Sequence, residues 1–264
     1  MTQETALDRA HAAMEAAPQE DAARLRYFEK LAESEMFLML AQDAGDGDQV
    51  TPEVFELEDG RYVLVFDREE RLAQFAGQPV PYVALSGRVI AGMLAGQGIG
   101  LGVNLDVTPS AMLLPHRAVD WLHATLGNAP DEVEAKITQM HPPAGLPEAL
   151  ITALDGKLAT AMGLAQCAYL IGVSYDTGGR GHLLGFVQAV PEAQDALTKA
   201  VAEALTFSGI EAGALDVGFF RAGDPIVAQM DKVGLRFDLP QLQEPTLRRV
   251  PAPGSDPQRP PKLR

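Results

Sequence analysis

The chain has 264 residues, 47% of them hydrophobic and 22% charged, the mix of a folded protein and not of a disordered one. Its 21 Lys and Arg stand against 36 Asp and Glu, a net charge of −15 that repels phosphate backbones and anionic lipid. Neither nucleic acid nor a membrane surface is therefore expected as partner, and a single cysteine excludes an internal disulfide and a cysteine-rich metal cluster.

Met1 to Ala17 carries Glu4, Asp8, Arg9 and Glu15, so it does not read as a secretion signal, and the composition suits a cytoplasmic protein. Val89 to Leu105 is uncharged but broken by five glycines, and Leu158 to Tyr175 is split by Gly163. Neither is expected to cross a membrane.

Leu7, Ala10, Met14 and Ala17 recur at helical spacing, and Thr5 with Asp8 forms a capping-box pattern. Pro18 breaks this helix, and a second follows with Leu25, Phe28, Leu31 and Ala32 on one face. Met36 to Leu40 reads as a strand and Ala44 to Asp48 as a turn. Asp59-Gly60 joins Val54–Glu58 to Arg61–Phe66, because this pair tolerates the positive φ of a tight hairpin. Asp67 is placed to cap a short helix over 68–76. A strand at 82–85, a helix at 88–94, a strand at 98–107, an extended piece at 112–114 and a helix from Pro115 to Leu126 complete the first half.

The second half alternates strands and helices: strand 133–140, helix 147–162, strands 165–175 and 182–190, a helix opened by Pro191, and strand 215–219. This β-α-β-β-α-β succession predicts a ferredoxin-like split βαβ sheet with both helices on one face. Asp224 to Val233 is a further short helix, expected at an edge. The fold class expected is α+β in two domains: an N-terminal helix at 1–21, domains at 22–129 and 130–240, and a disordered tail at 245–264. That tail holds six prolines, with Arg248, Arg249, Arg259, Lys262 and Arg264 against Asp256 alone.

No catalytic constellation is legible, and no cofactor or metal is implied. Gly98, Gly100 and Gly102 overlap dinucleotide-type spacing, but the order reads helix, loop, strand, whereas a phosphate cradle needs strand, loop, helix. They read as a turn and a tightly packed strand; with Asn104 they also mark the place where a small-molecule site would lie. His116, Asp120 and His123 share a helix face without a fourth ligand. Ser174, Asp176 and His182 flank one hairpin without a nucleophile elbow. Cys167 sits in an apolar strand, where burial keeps a thiol inert.

Several segments together resemble the SseB family, named for enhanced serine sensitivity. They are Arg26-Tyr27-Phe28-Glu29-Lys30-Leu31, Val65-Phe66-Asp67 with Glu70-Arg71-Leu72, Tyr82-Val83-Ala84-Leu85, Gly102-Val103-Asn104-Leu105 and Val119-Asp120-Trp121-Leu122. Pro147 to Ile151, Ala168-Tyr169-Leu170 and His182 to Phe186 resemble that family's C-terminal domain. The ending Gly234 to Asp238 and the basic proline-rich tail depart from the family pattern. The resemblance implies a fold but carries no catalytic residues; its name implies a link to serine tolerance or amino-acid metabolism.

The expected function is that of a non-enzymatic accessory protein that binds another protein or its own copy. The surface expected for this is the uncovered face of the second sheet, with Lys136, Thr138, Leu184 and Phe186 as candidates. The alternative is an amino-acid or nucleotide sensor, or an enzyme, with its site at Gly98 to Asn104.

Overall fold

The computed structural model describes residues 4–42, 50–127, 137–176, 178–210 and 215–241. The expected turn at 44–48, the boundary at 129/130 and the tail at 245–264 lie outside these residues. The chain is α+β, with two mixed sheets.

The first half runs α1 (Ala6–Ala16), α2 (Asp21–Glu33), β1 (Glu35–Met39), β2 (Val54–Leu57), β3 (Gly60–Phe66), α3 (Glu69–Ala76), β4 (Tyr82–Ser86), α4 (Gly87–Leu94), β5 (Ile99–Val103), β6 (Met112–Leu114) and α5 (His116–Gly127). Its strands lie in the order β4-β1-β3-β5-β6, with β2 also paired to β3. Thr5 and Asp8 form the capping box of α1. The Asp59-Gly60 hairpin closes with Leu57 opposite Gly60. One face of the sheet packs Met36, Leu38, Val63, Val65, Leu101 and Val103 against helices α1, α2, α4 and α5. The helix expected to stand apart at 1–21 is part of this core, because Leu7, Ala10 and Met14 are buried in it. The opposite face carries Leu64, Phe66 and Leu72 under α3, with Phe37, Met39 and Phe55 half-buried beside them.

Two local expectations change. Asp67 does not cap α3, whose N-cap is Arg68 without a side-chain bond. Strand β5 ends at Val103 instead of 107, because Asn104 and Asp106 take φ of 50° and 57°, incompatible with extended backbone.

The second half runs β7 (Ile137–His141), α6 (Glu148–Thr160), β8 (Cys167–Tyr175), β9 (Arg180–Val187), a 3-10 turn (Pro191–Ala193), α7 (Gln194–Phe207), β10 (Leu215–Phe220), α8 (Pro225–Val233) and β11 (Leu235–Asp238). The succession of elements is the expected one, but the sheet is not the ferredoxin-like arrangement. Its order is β10-β9-β8-β11, with β7 also on β8. Strands β9 and β10 are adjacent and parallel, so no strand splits their βαβ unit. Helices α6 and α7 cover one face through Leu150, Leu154, Leu197 and Val201. The other face is not open: α8 lies over it, burying Met230 against Tyr169, Ile171 and Leu183. Residues 235–238, read from the sequence only as a departure from a family pattern, pair antiparallel with β8.

The helical layers of the two halves meet. Helix α7 contacts both α2 and α5, and its Phe207 is buried in the first half's core. Among the described residues no helix is long and apolar enough to cross a membrane.

Candidate functional site

Helix α2 has two working faces. Tyr27, Phe28, Leu31 and Ala32 enter the first core. Arg26, Glu29, Lys30 and Glu33 lie on the side turned toward α6 and α7, where a cleft of about 820 Å³ separates the halves. That volume falls in the range of small-ligand sites, which favour domain junctions. The cleft has a charged wall and a floor of small apolar side chains, including Ala32, Ala153 and Ala200.

The charges of the junction are largely paired across it. Lys157 of α6, its side chain 9% exposed, lies 2.8 Å from Glu33 and 2.9 Å from Glu203. Arg88 of α4 donates two hydrogen bonds to Glu203 of α7, at 2.9 and 3.1 Å. Lys30 reaches Glu33 at 2.8 Å. Burial opposes ionisation of Glu203, but hydrogen bonds from Arg88 and Lys157 outweigh it and hold the carboxyl below its ordinary value. Burial likewise works against the Lys157 ammonium, and its bonds to Glu33 and Glu203 more than restore it.

Glu29 differs. Its side chain is 5% exposed, and its one ion pair among the described residues is a 3.9 Å approach to Lys157. That is beyond hydrogen-bonding distance, and Glu29 receives no hydrogen bond from a described residue. Burial, reinforced by the neighbouring Glu33, pushes its carboxyl upward. The helical face read from the sequence, Leu25, Phe28, Leu31 and Ala32, does not include Glu29, because one carboxylate in a charged helix gives no sign of a second half packing over it.

A second polar cluster is internal to the first half. Arg71 donates to Asp8 and to Asp67, the latter at 2.7 Å. Thr5 donates to Asp67 at 2.6 Å, and Ser110 donates to Asp8. The Asp67 amide donates to the Asn104 side-chain oxygen at 3.1 Å. Asp67 thus joins α1, α3 and the end of β5, which explains why it does not cap α3.

The sequence-predicted residues do not assemble into a site. Lys136 lies outside the described residues. Thr138 is exposed, and its hydroxyl donates to the Ser174 carbonyl at 2.9 Å. Leu184 and Phe186 are fully buried beneath α6 and α7, so the partner surface assigned to them is corrected. Along β9 both alternating sets are apolar, so period-two patterning cannot tell which face meets the helices.

The small-molecule site expected at Gly98 to Asn104 is filled by protein. A Cβ at Gly100 would lie 2.4 Å from the Leu114 carbonyl oxygen and 2.6 Å from the Tyr62 ring. One at Gly102 would meet Leu64 at 2.6 Å. Gly98 sits in the turn before β5 with φ +67°, and Asn104 is completely buried. These residues let β3, β5 and β6 approach closely, the tightly packed strand of the other reading.

Asp120 accepts from the Gly96 amide at 2.8 Å, tying the turn after α4 to α5. His182 bonds the Ala144 carbonyl and pairs with Gly172, apart from Ser174, which pairs with Arg180. Cys167 is buried.

Residues 7–121 match the family model described as SseB protein N-terminal domain. The matched segment runs from α1 into α5 and contains both polar partners of Asp67 that lie beyond α1, Arg71 and Asn104. No curated protein and no solved structure matches the chain.

Proposed function

We propose that the chain, whose residues 7–121 match the SseB N-terminal domain, works as a non-catalytic, protein-binding scaffold in the cytoplasm. The observation that carries this reading is the half-covered face of the first sheet. Phe37, Met39 and Phe55 are half-buried there, and Tyr82, 38% exposed, meets Phe37 edge-on at 5.6 Å. Register supports one continuous patch, because Met39 pairs with Tyr82 on β4, an edge strand. Aromatic and methionine side chains of this kind are enriched at protein interfaces. The ion pairs between the halves favour the same reading, since Lys157, Arg88 and Glu203 hold the scaffold together.

The partner is another protein or a second copy. Light scattering on the purified chain distinguishes the two, and Tyr82→Ala with Met39→Lys tests the surface. A partner captured by the native chain and lost by this double variant supports the reading. Equal capture by both, or a strict monomer that captures nothing, overturns it. A connection to serine tolerance rests on the family name; unaltered growth on high serine of a strain lacking the chain would remove it.

A further inference from the structure

The cleft between the halves contains a combination that the scaffold does not need. Glu29 is a buried carboxylate that lines it without a hydrogen-bond donor among the described residues. Three positions earlier on the same helix, Arg26 lines the cleft beside it, and Lys199 faces them from α7. Arg26 and Lys199 are exposed and form no ion pair among the described residues, on a chain whose net charge is −15. Residues three apart on a helix are surface neighbours, so a carboxylate without a hydrogen-bond donor and a cation without an ion pair, each among the described residues, sit side by side. The floor between the walls is small and apolar, and Gly156 of α6 leaves space: no atom lies within 4 Å of the point its Cβ would occupy.

We propose that this cleft binds a small zwitterion, its ammonium group donating to Glu29 and its carboxylate held by Arg26 and Lys199. A simple cation is disfavoured because Arg26 and Lys199, which line the same cleft, repel it. A simple anion is disfavoured because Glu29 repels it. A molecule with both charges a few bonds apart satisfies all three groups, giving Glu29 a charge-assisted donor and the two cations an acceptor. The shared chemistry is an ammonium and a carboxylate on a short aliphatic frame, found in a free amino acid and in a short peptide alike. This binding is independent of the aromatic face on the first sheet and goes beyond the scaffold reading.

The experiment is titration of the full chain, followed by NMR of its backbone amides, with L-alanine, dialanine, ethylamine and acetate as separate probes. L-alanine or dialanine is expected to shift α2 and α7 resonances saturably, with ethylamine and acetate at least tenfold weaker. The tighter of the two zwitterions identifies the source as amino acid or peptide. Glu29→Gln is expected to weaken binding at least tenfold. Gly156→Leu fills the cleft and removes a helix-interior glycine, so it should abolish binding while melting no lower than the native chain. Absence of saturable shifts in the native chain, equal binding of ethylamine or acetate, or binding that survives Gly156→Leu in a folded protein overturns the proposal.

Discussion

Arg71 holds Asp8, 63 positions away in the chain, through both of its terminal nitrogens, at 3.0 and 2.5 Å. Their side chains are 4% and 12% exposed, so the pair fastens α1 to α3 from inside. Asp67 still pairs the guanidinium when Asp8 is removed, so the loss is that of the Arg71 bonds to Asp8 and of the α1 capping box. Asp8→Ala is therefore expected to lower the unfolding free energy by about 2 kcal/mol, read from denaturant midpoints at constant slope.

The same carboxylate gives an acid-side prediction. Burial pushes Asp8 upward, but hydrogen bonds from Arg71, Ser110 and the Thr5 amide outweigh it and hold the group well below the usual carboxylate range. A depressed folded pKa contributes stability above the ordinary carboxylate value, and that stability is lost as pH falls through it toward the folded one. Stability should thus decline progressively below about pH 4, and the decline should be shallower in Asp8→Asn. An identical acid-side slope in the variant would contradict this origin.

Lys157 joins the halves. Lys157→Ala leaves Glu203 to Arg88 and Glu33 to Lys30, but takes from Glu29 its one ion pair among the described residues. The lost bonds and the unpaired Glu29 should lower stability by about 2 kcal/mol and separate the melting of the two halves in calorimetry. Adding Glu29→Gln should recover part of the loss, since it removes the carboxylate left without an ion pair. A single, unshifted transition in Lys157→Ala would show that apolar packing, including Phe207 in the first core, suffices to hold the halves together.

Two glycine substitutions should act in opposite directions. Gly100→Ala drives a methyl group into the Leu114 carbonyl and the Tyr62 ring, and overpacking of this kind costs about 2 kcal/mol. Gly156→Ala meets no neighbour within 4 Å and improves a helix interior, a gain of about 1 kcal/mol. Thermal melting of both variants checks the signs.

Cys167 is 3% exposed, and burial pushes its thiol upward despite the opposing pull of Arg236. The native chain should leave this thiol unmodified by an aromatic disulfide reagent over the minutes in which denatured chain reacts completely. Rapid reaction of the native chain would mean that β8 opens readily.

Much of the architecture was legible locally. The Thr5–Asp8 capping box and the Asp59-Gly60 hairpin were found as read, because each depends on residues within a few positions of one another. The short strand β11 was not, since four residues of mixed polarity carry no period. Asp67 looked like a helix cap, as acidic residues at helix starts usually are; its actual partners are Thr5, Arg71 and the Asn104 side chain. The cleft was invisible, because Glu29 on α2, Gly156 on α6 and Lys199 on α7 are isolated residues until three helices pack together.

Read alone, the residues determined the α+β succession of elements, the hairpin and cap chemistry, and the likeness of the first half to the SseB N-terminal domain, because periodicity and turn preferences act over a turn of helix or a pair of strands. Tertiary structure alone decided which face of β9 meets the helices, that α8 covers the other, and that Arg88 finds Glu203 across 115 positions. Those outcomes follow from burial in three dimensions: a side chain's partner is whichever surface arrives when the layers close, and nothing in its own stretch of chain names that surface.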